Sequence, residues 1–182
     1  MQHPHIIFEN DHIVAVNKPS GLLTLPDRFD AELESLKGIL TKKYGQIFVI
    51  HRLDRDTSGL IIFAKTADAH QYYSRLFEDR KVKKIYVGLV HGVLPVEEGS
   101  FDQPIGEHPF TKGKMAVVRK GKHALTHYTV LETLSKYSWV SFHIETGRTH
   151  QIRVHLQNAG HPLACDPLYG SDAPLLLSSI KK

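Results

Sequence analysis

Apolar residues recur in short runs between polar ones, a pattern that predicts β-strands over much of the chain. The runs at 6–8 and 13–16 flank Glu9-Asn10-Asp11 and therefore predict a hairpin. Further strands are predicted at 46–50, 60–65, 84–92, 124–134 and 139–146, and a turn at 135–138 joins the last two.

Three other segments show helical spacing of their apolar residues. The first runs from about Asp30, a predicted N-cap, to Tyr44, and Gly45 ends it. The second spans about 67–80, and the third begins after Thr149, a predicted N-cap, and ends at Gly160. The predicted inward residues are Leu33, Leu36, Leu40 and Tyr44; Ala69, Tyr72, Leu76 and Phe77; and Ile152, Leu156 and Ala159. Strands separated by helices in this way predict a mixed sheet of an α/β or α+β fold.

The chain of 182 residues suits one domain, 1–182, and 41% hydrophobic residues can form a core of ordinary size. No apolar run approaches the length that crosses a bilayer, and the first residues lack a signal-peptide pattern. A single cysteine, Cys165, cannot form an intrachain disulfide, so we expect a reducing compartment, the cytoplasm. Cys165 lacks any metal-ligand spacing and is interpreted as a small packed residue.

The formal net charge of +4 suits a polyanionic partner without proving one. The basic residues form two clusters: Arg80, Lys81, Lys83 and Lys84; and Lys112, Lys114, Arg119, Lys120 and Lys122. The second cluster lies in 99–122, which is broken by prolines and glycines and is interpreted as a long irregular arm that contacts phosphates. The alternative is an exposed hairpin whose lysines only keep it in solution, and both interpretations stay open.

Two stretches are unusually rich in functional groups. The first, 51–59, places two carboxylates, two guanidiniums and an imidazole within six positions between predicted strands, although a solvated turn would explain such a cluster. The second, 147–155, opens the third predicted helix, whose first N–H groups and nearby arginines suit a phosphate. A metal site is not predicted. His150 and His155 lie on different helix faces, and His51 with Asp54 lacks a third ligand.

Four motifs together resemble the RluA-type pseudouridine synthases over about 11–170. They are His51-Arg52-Leu53-Asp54-x-x-Thr57-Ser58-Gly59 before an apolar strand, Lys84-x-Tyr86, Gly147-Arg148-Thr149-His150-Gln151-Ile152-Arg153, and Asn17-Lys18-Pro19-Ser20-Gly21. The resemblance implies an α+β pseudouridine synthase fold, with a mixed, mainly antiparallel central sheet and flanking helices. It implies no cofactor.

The resemblance also implies roles for individual residues. Asp54 corresponds to the catalytic residue, Arg153 to the guanidinium that pairs with it, and Tyr86 to a residue that contacts the target base. Taken alone, Tyr86 would be a half-buried strand aromatic and Arg153 a surface helix residue. The residues implied to contact RNA or support the site are Arg52, Arg148, His150, Gln151, Lys112, Lys114, Arg119 and Lys120. Lys18 and Pro19 are interpreted as structural.

The function implied is isomerisation of specific uridines in ribosomal RNA, transfer RNA or both, by cleavage at C1′ and re-attachment through C5. RNA is the expected partner, and no membrane or obligate protein partner is inferred. A non-catalytic RNA-binding protein and a hydrolase using Asp54 with Asp56 stay open as alternatives. Many family members carry an N-terminal S4-type domain, which is expected to be missing here. They also continue past Tyr169-Gly170 with strands carrying a Leu-His-Ala motif, so this chain is expected to lack a C-terminal portion or to be a short member.

Overall fold

The computed structural model describes residues 4–30, 32–176 and 178. Its contacts divide the chain into two compact units, Met1–Val82 and Lys83–Lys182. The assignment of 1–182 to one catalytic domain stays a prediction.

The first unit is built on a four-stranded antiparallel sheet. Its strands are β1 (His5–Glu9), β2 (Ile13–Lys18), β3 (Phe48–Val49) and β4 (Gly59–Ala64), in the order β1-β2-β4-β3. Two helices, α1 (Leu36–Tyr44) and α2 (Ala67–Glu78), complete it. In β2 every residue except Asn17 is buried, which explains its nearly unbroken apolar run. The predicted hairpin and the strand at 60–65 are therefore confirmed within one or two residues, whereas the strand at 46–50 is shorter.

The first helix begins later than predicted. Ser35, and not Asp30, is its N-cap, because the Ser35 hydroxyl accepts the N–H of Gly38 at 3.2 Å. The first two helical N–H groups, of Leu36 and Lys37, donate to carbonyls of residues 23 and 24 at 2.8 and 3.1 Å. Asp30 instead accepts the N–H of Glu32 in a local turn. Gly45 ends the helix as predicted.

The second helix ends at Glu78, two residues before the predicted limit, and Arg80 lies in the left-handed region with φ 57°. Thr66 caps its start by accepting the N–H of Ala69. Ala69 is buried as predicted, but the prediction that Tyr72 points inward is wrong, since Tyr72 is 62% exposed.

The second unit contains a separate four-stranded antiparallel sheet. Its strands are β5 (Ile85–His91), β6 (Glu98–Asp102), β9 (Leu125–Thr133) and β10 (Tyr137–Ile144), in the order β5-β10-β9-β6. Helix α3 (Gln151–Asn158) follows β10. Val140 and Phe142 of β10 point to a core with Val90 and Leu156, and the predicted hairpin of two long strands with a turn at 135–138 is confirmed.

The segment 99–122 is not irregular. Besides β6 it contains a second, two-stranded sheet of β7 (Ile105–Glu107) and β8 (Met115–Val117). Ile105 also exchanges two backbone hydrogen bonds with Lys122, at 2.8 and 2.9 Å. A Cβ at Gly121 would lie 2.6–2.8 Å from the backbone of Ile105, so only glycine permits this approach. The interpretation as an irregular arm is wrong, and the alternative of a hairpin describes the backbone.

Three further predictions in this unit are wrong. Thr149 does not cap α3, because His150 occupies the N-cap position with φ 56° and makes no side-chain capping bond. Cys165 is exposed rather than packed, and it too has a left-handed backbone, with φ 57°. The predicted inward residue Leu156 is buried, whereas Ala159 at the end of α3 is exposed.

Three helices and antiparallel sheets, counted over the described residues, confirm the predicted α+β class. Within that same part of the chain, no helix is both long enough and apolar enough to span a bilayer.

Candidate active site

The loop that carries Asp54 is fixed by a buried lysine. Lys18 is fully buried, and its ammonium donates to the carbonyls of Pro19, Leu22 and Arg55 at 2.7–2.9 Å, which uses all three of its hydrogens. Burial lowers the pKa of Lys18, and the carboxylates of Asp56 and Asp54 oppose that shift. The structural role predicted for Lys18 is thus confirmed.

Further hydrogen bonds join the loop that carries Asp54 to the loop that follows β2, residues 19–24. Thr24 donates its hydroxyl to the Leu53 carbonyl at 2.8 Å and accepts the Leu53 N–H at 3.3 Å. The hydroxyl of Ser20 donates to the carbonyl of Asp56 at 2.7 Å. The backbone N–H of Gly21 donates to the carbonyl of residue 55 at 2.9 Å. These bonds fix the backbone of the loop around Asp54.

The side chains of 51–54 divide between the interior and the solvent. His51 Nε2 accepts the N–H of Ile62 at 3.1 Å, and its ring stacks on Phe77 with centroids 4.5 Å apart. Leu53 is buried, Asp54 is partly buried and Arg52 is exposed. His51 and Leu53 thus hold the loop in place, while Asp54 lies at a partly exposed position where a carboxylate can react.

In the second unit, Tyr86 lies on β5 opposite Phe142 of β10. It is partly buried and packs against the core that contains Val90. The structure therefore agrees with the plain interpretation of a half-buried strand aromatic. Its predicted contact with a target base stays a prediction.

Arg153 on α3 forms a forked ion pair with Asp166. Its Nε and Nη2 donate to the two carboxylate oxygens, each at 2.8 Å. Asp166 is buried and also accepts the backbone N–H groups of Leu168 and Tyr169. Burial raises the pKa of Asp166, but the Arg153 hydrogen bonds and charge, with the two N–H groups, hold it below its usual value. Asp166 is therefore ionised at neutral pH and fixes one edge of the guanidinium.

The buried ring of Tyr169 connects several functional groups. The Arg153 guanidinium lies over this ring at 4.9 Å from its centroid. The Tyr169 hydroxyl is 2.8 Å from Nδ1 of His150 and accepts the N–H of Met115 at 2.9 Å. One side chain thus joins the start of α3 to the β7–β8 hairpin.

A buried polar network supports the same helix start. Gln151 Oε1 accepts from the Thr146 hydroxyl at 2.7 Å and the Arg148 N–H at 3.0 Å. Its Nε2 donates to the Leu125 carbonyl and to the Thr126 hydroxyl, both at 3.0 Å. The side chain of Gln151 therefore has a structural role. Its predicted contribution to RNA contact stays a prediction.

The network continues to His155, which is fully buried. Burial lowers the pKa of His155, against weaker opposing effects of the Gln103 carbonyl and Asp102. Nε2 lies 3.0 Å from the Gln103 carbonyl and Nδ1 3.0 Å from the Thr126 hydroxyl. A carbonyl can only accept, so the neutral ring carries its proton on Nε2, and Nδ1 accepts from Thr126.

His155 is expected to make the free energy of unfolding fall as the pH falls. Between the usual pKa near 6.5 and the lowered folded value, the unfolded chain binds a proton that the folded chain does not, so stability falls as pH falls through this window. The contribution of His155 to this slope is at most about 1.4 kcal/mol per pH unit. We expect His155→Gln to flatten the dependence of the unfolding free energy, measured by urea denaturation from pH 7.5 to 5. His143→Gln, at a half-exposed position, is the control, and equal slopes for wild type and His155→Gln would contradict the prediction.

The other predicted contact residues lie in several places. Arg148 donates from Nε to the carbonyl of His123 at 2.9 Å and so braces the loop before α3. Lys112 is exposed in the β7–β8 turn, and Lys114 holds its ammonium 5.2 Å from the Tyr169 ring centroid. Arg119 and Lys120 are exposed in the turn after β8. Among the residues that the structure describes, no group of three His, Cys, Asp or Glu side chains is placed to hold a metal ion.

Sequence reasoning missed Asp166 and Tyr169, which hold the guanidinium of Arg153 in the second unit. Asp166 is followed at positions 168 and 169 by the backbone N–H groups that it accepts, a local turn pattern favoured by aspartate. That pattern was the available signal. It does not by itself reveal that the carboxylate also binds an arginine 13 positions earlier.

Comparisons with known proteins agree with this description. Residues 12–158 match the RNA pseudouridylate synthase family. Ribosomal large subunit pseudouridine synthase D of Nitrosomonas europaea is 43% identical over 174 residues, covering 93% of this chain and 50% of that protein. The enzyme of the same name from Pseudomonas aeruginosa is 40% identical, with 91% and 53% covered. The solved structure of human RNA pseudouridylate synthase domain containing 1 is 29% identical with a TM-score of 0.79, covering 95% of this chain and 74% of that one.

The chain therefore belongs to the RNA pseudouridylate synthase family, and the resemblance to its RluA-type members is confirmed. The predicted pseudouridine synthase fold is confirmed as well. The chain spans about half the length of the two bacterial relatives. The family match ends at residue 158, so Asp166 and Tyr169 lie outside the matched range.

Proposed function

We propose that this protein is an RNA pseudouridine synthase that isomerises specific uridines. The observation that carries the proposal is the family match, which includes Asp54, Tyr86 and Arg153 within residues 12–158. Two relatives are named for the large ribosomal subunit, which favours ribosomal RNA as a substrate, with transfer RNA as the second candidate. The cytoplasm is the proposed location, on the basis of the single cysteine.

The chemistry requires access to a base that is normally stacked, so the target nucleotide flips into the protein. The side chain of Asp54 attacks C1′ as a nucleophile or removes a proton from the ribose as a base. The C1′–N1 bond breaks and the uracil leaves with the bonding electrons, turns, and forms a C1′–C5 bond. In the nucleophile route the Asp54–C1′ bond breaks as C5 attacks, and in the base route the ribose regains its proton. C5 then loses its hydrogen as a proton and N1 gains one, so the product is an isomer of the substrate.

As the resemblance implies, Arg153 supports this step by pairing with the Asp54 carboxylate and orienting it. The pair with Asp166 uses two of the five N–H donors of the guanidinium and fixes its plane. Tyr86 contacts the uracil, and Arg52 enters the space that the base leaves. Within its own unit, each of the two groups is fixed by hydrogen bonds, the loop of Asp54 by Lys18 and Thr24 and the guanidinium of Arg153 by Asp166, which limits the local reorganisation that binding requires.

The lysines near the β7–β8 hairpin are proposed to bind RNA phosphates. We expect combined substitution of Lys112, Lys114 and Lys120 by alanine to weaken RNA binding and to flatten its salt dependence. Each phosphate that a lysine no longer neutralises lowers the slope of log K against log salt by about 0.7 for a single strand, so the three together lower it by about 2. Filter binding over a range of KCl concentrations measures this slope.

The control carries Lys42→Ala and Lys136→Ala, which remove two exposed lysines from α1 and from the β9–β10 turn. This variant is expected to keep the wild-type slope within experimental error. A slope in the triple variant equal to that of wild type would show that the hairpin lysines do not contact phosphates.

One experiment separates the proposed function from its alternatives. The protein is incubated with unmodified ribosomal and transfer RNA, the RNA is digested to nucleosides, and the products are separated by chromatography. A synthase converts uridine to pseudouridine of identical mass, a hydrolase releases free uracil, and a binding protein leaves every uridine intact. Uracil release or unchanged uridine in RNA that the protein binds would contradict the proposal.

A further inference from the structure

The turn between β7 and β8, residues 108–114, presents an aromatic ring to the solvent. Phe110 is 92% exposed, so its ring contributes almost nothing to the core of the unit. Single exposed apolar residues are common on protein surfaces, and exposure alone indicates no function. The surroundings of Phe110 supply the further observations.

The turn is held in shape by its own hydrogen bonds. His108 N–H donates to the Lys114 carbonyl at 2.8 Å, and Lys114 N–H donates to the Thr111 carbonyl at 3.3 Å. The Phe110 N–H donates to Nδ1 of His108 at 3.3 Å, and the two rings meet edge to face with centroids 6.2 Å apart. Phe110 is therefore displayed by an ordered turn, which the Met115–Tyr169 hydrogen bond ties to the body of the unit.

The turn that displays Phe110 also carries an exposed lysine, with Glu107 as the exposed acidic residue at its base. Lys112 is exposed two positions away, and Lys114 follows with its ammonium over the Tyr169 ring. An aromatic ring beside cations can stack on a base while the cations attract the adjoining phosphates. Phe29 provides a contrast within the same chain. It is 97% exposed but lies between Arg28 and Asp30, and the Asp27 carboxylate accepts its N–H, so two carboxylates face one cation there.

We propose that Phe110 is a stacking site for an unpaired nucleobase of the substrate RNA, with Lys112 on the neighbouring phosphate. The inference rests on the proposed function and deepens it, because it states which RNA feature the hairpin recognises. A ring that stacks requires a base outside a duplex, so the hairpin selects loops and bulges over paired stems.

Phe110→Ala tests the site directly. We expect the dissociation constant for a stem-loop RNA to rise by about 5- to 150-fold, the range measured when one stacking aromatic is removed. The salt slope should stay unchanged, because every lysine that binds a phosphate is still present. Affinity for a duplex of the same length should change by less than about twofold. Phe110→Ala should therefore lose the preference of the wild-type protein for the stem-loop over the duplex. Phe29→Ala is the matched control and is expected to bind both RNAs like wild type.

A second pair of variants separates stacking from simple apolar contact. Phe110→Leu keeps the apolar character without a ring face, and Phe110→Trp keeps the face, so only the tryptophan variant should retain tight binding. In a Trp139→Phe background, Phe110→Trp supplies the only tryptophan of the chain. Its fluorescence should be quenched by the stem-loop and not by the duplex.

The outcomes for this inference and for the proposed function are distinguishable. Wild-type conversion of uridine with equal stem-loop affinity in Phe110→Ala would overturn the stacking site alone. Equal losses of affinity in Phe110→Leu and Phe110→Trp, or an equal loss in Phe29→Ala, would also overturn it. Failure of the wild-type chain to bind RNA would overturn both proposals.

Discussion

Asp54→Asn is expected to abolish pseudouridine formation, with a loss of at least about 1,000-fold in the single-turnover rate. Asparagine has nearly the same shape and keeps hydrogen-bonding capacity, but it carries no charge and can neither attack C1′ nor accept a ribose proton. The bonds that order the loop run mainly through backbone atoms and through Lys18 and Thr24, so they persist in the variant. RNA affinity should therefore change by less than about threefold.

Asp56→Asn is the matched control for this substitution. Asp56 is exposed two positions from Asp54, and its backbone carbonyl, not its side chain, accepts the Ser20 hydroxyl. A synthase that uses Asp54 alone keeps wild-type activity in Asp56→Asn. A hydrolase that uses two carboxylates loses activity in both variants. Activity retained in Asp54→Asn would remove Asp54 from the catalytic machinery.

Asp166→Asn is expected to lower the single-turnover rate by roughly 10- to 100-fold, through the position of Arg153. The asparagine can accept only one of the two guanidinium bonds, so the fork is broken and the plane of Arg153 is no longer fixed. The Tyr169 ring still supports the guanidinium from one face, which limits the fall in rate. RNA affinity, measured separately, should stay near that of wild type because the hairpin is unchanged.

A double-mutant cycle shows whether this effect passes through Arg153. Arg153→Lys removes the planar fork. Adding Asp166→Asn to that variant should therefore lower its single-turnover rate by less than about threefold. If Asp166→Asn acted through a general loss of stability, it would instead lower the single-turnover rate by the same factor in wild type and in Arg153→Lys. Equal factors would contradict the positioning role, and circular dichroism at the assay temperature would identify unfolding.

The sequence predicted those strands and helices whose own residues carry the pattern of buried and exposed positions. The runs of β2, β4, β5 and β10 alternate or stay apolar according to which faces are buried, and this pattern is present in the residues themselves. The start of α1 could not be predicted in the same way. Its first N–H groups bind carbonyls of a distant loop, and that long-range interaction selects Ser35 over Asp30.

The residues of the candidate site also differ in whether the sequence alone could predict them. Motifs identified Asp54, Tyr86 and Arg153 because each lies in a short distinctive sequence. Asp166 and Tyr169 were not predicted, because their importance depends on partners that folding brings to them. Asp166 binds Arg153 on α3, and the Tyr169 hydroxyl accepts the N–H of Met115. For a similar reason, the individual strands of the β7–β8 hairpin were not predicted, and the sequence offered the hairpin only as an alternative to an irregular arm. Its strands have three residues each and depend on hydrogen bonds with Lys122 and Tyr169 for support.

Tritium release from RNA labelled at C5 of uridine is the most direct test of isomerisation at Asp54. Formation of the C1′–C5 bond expels the C5 hydrogen, so wild-type protein should release tritium into water in step with the pseudouridine formed, and Asp54→Asn should release none. Free uracil that retains its tritium, or bound RNA that keeps all of its label, would contradict the proposed function.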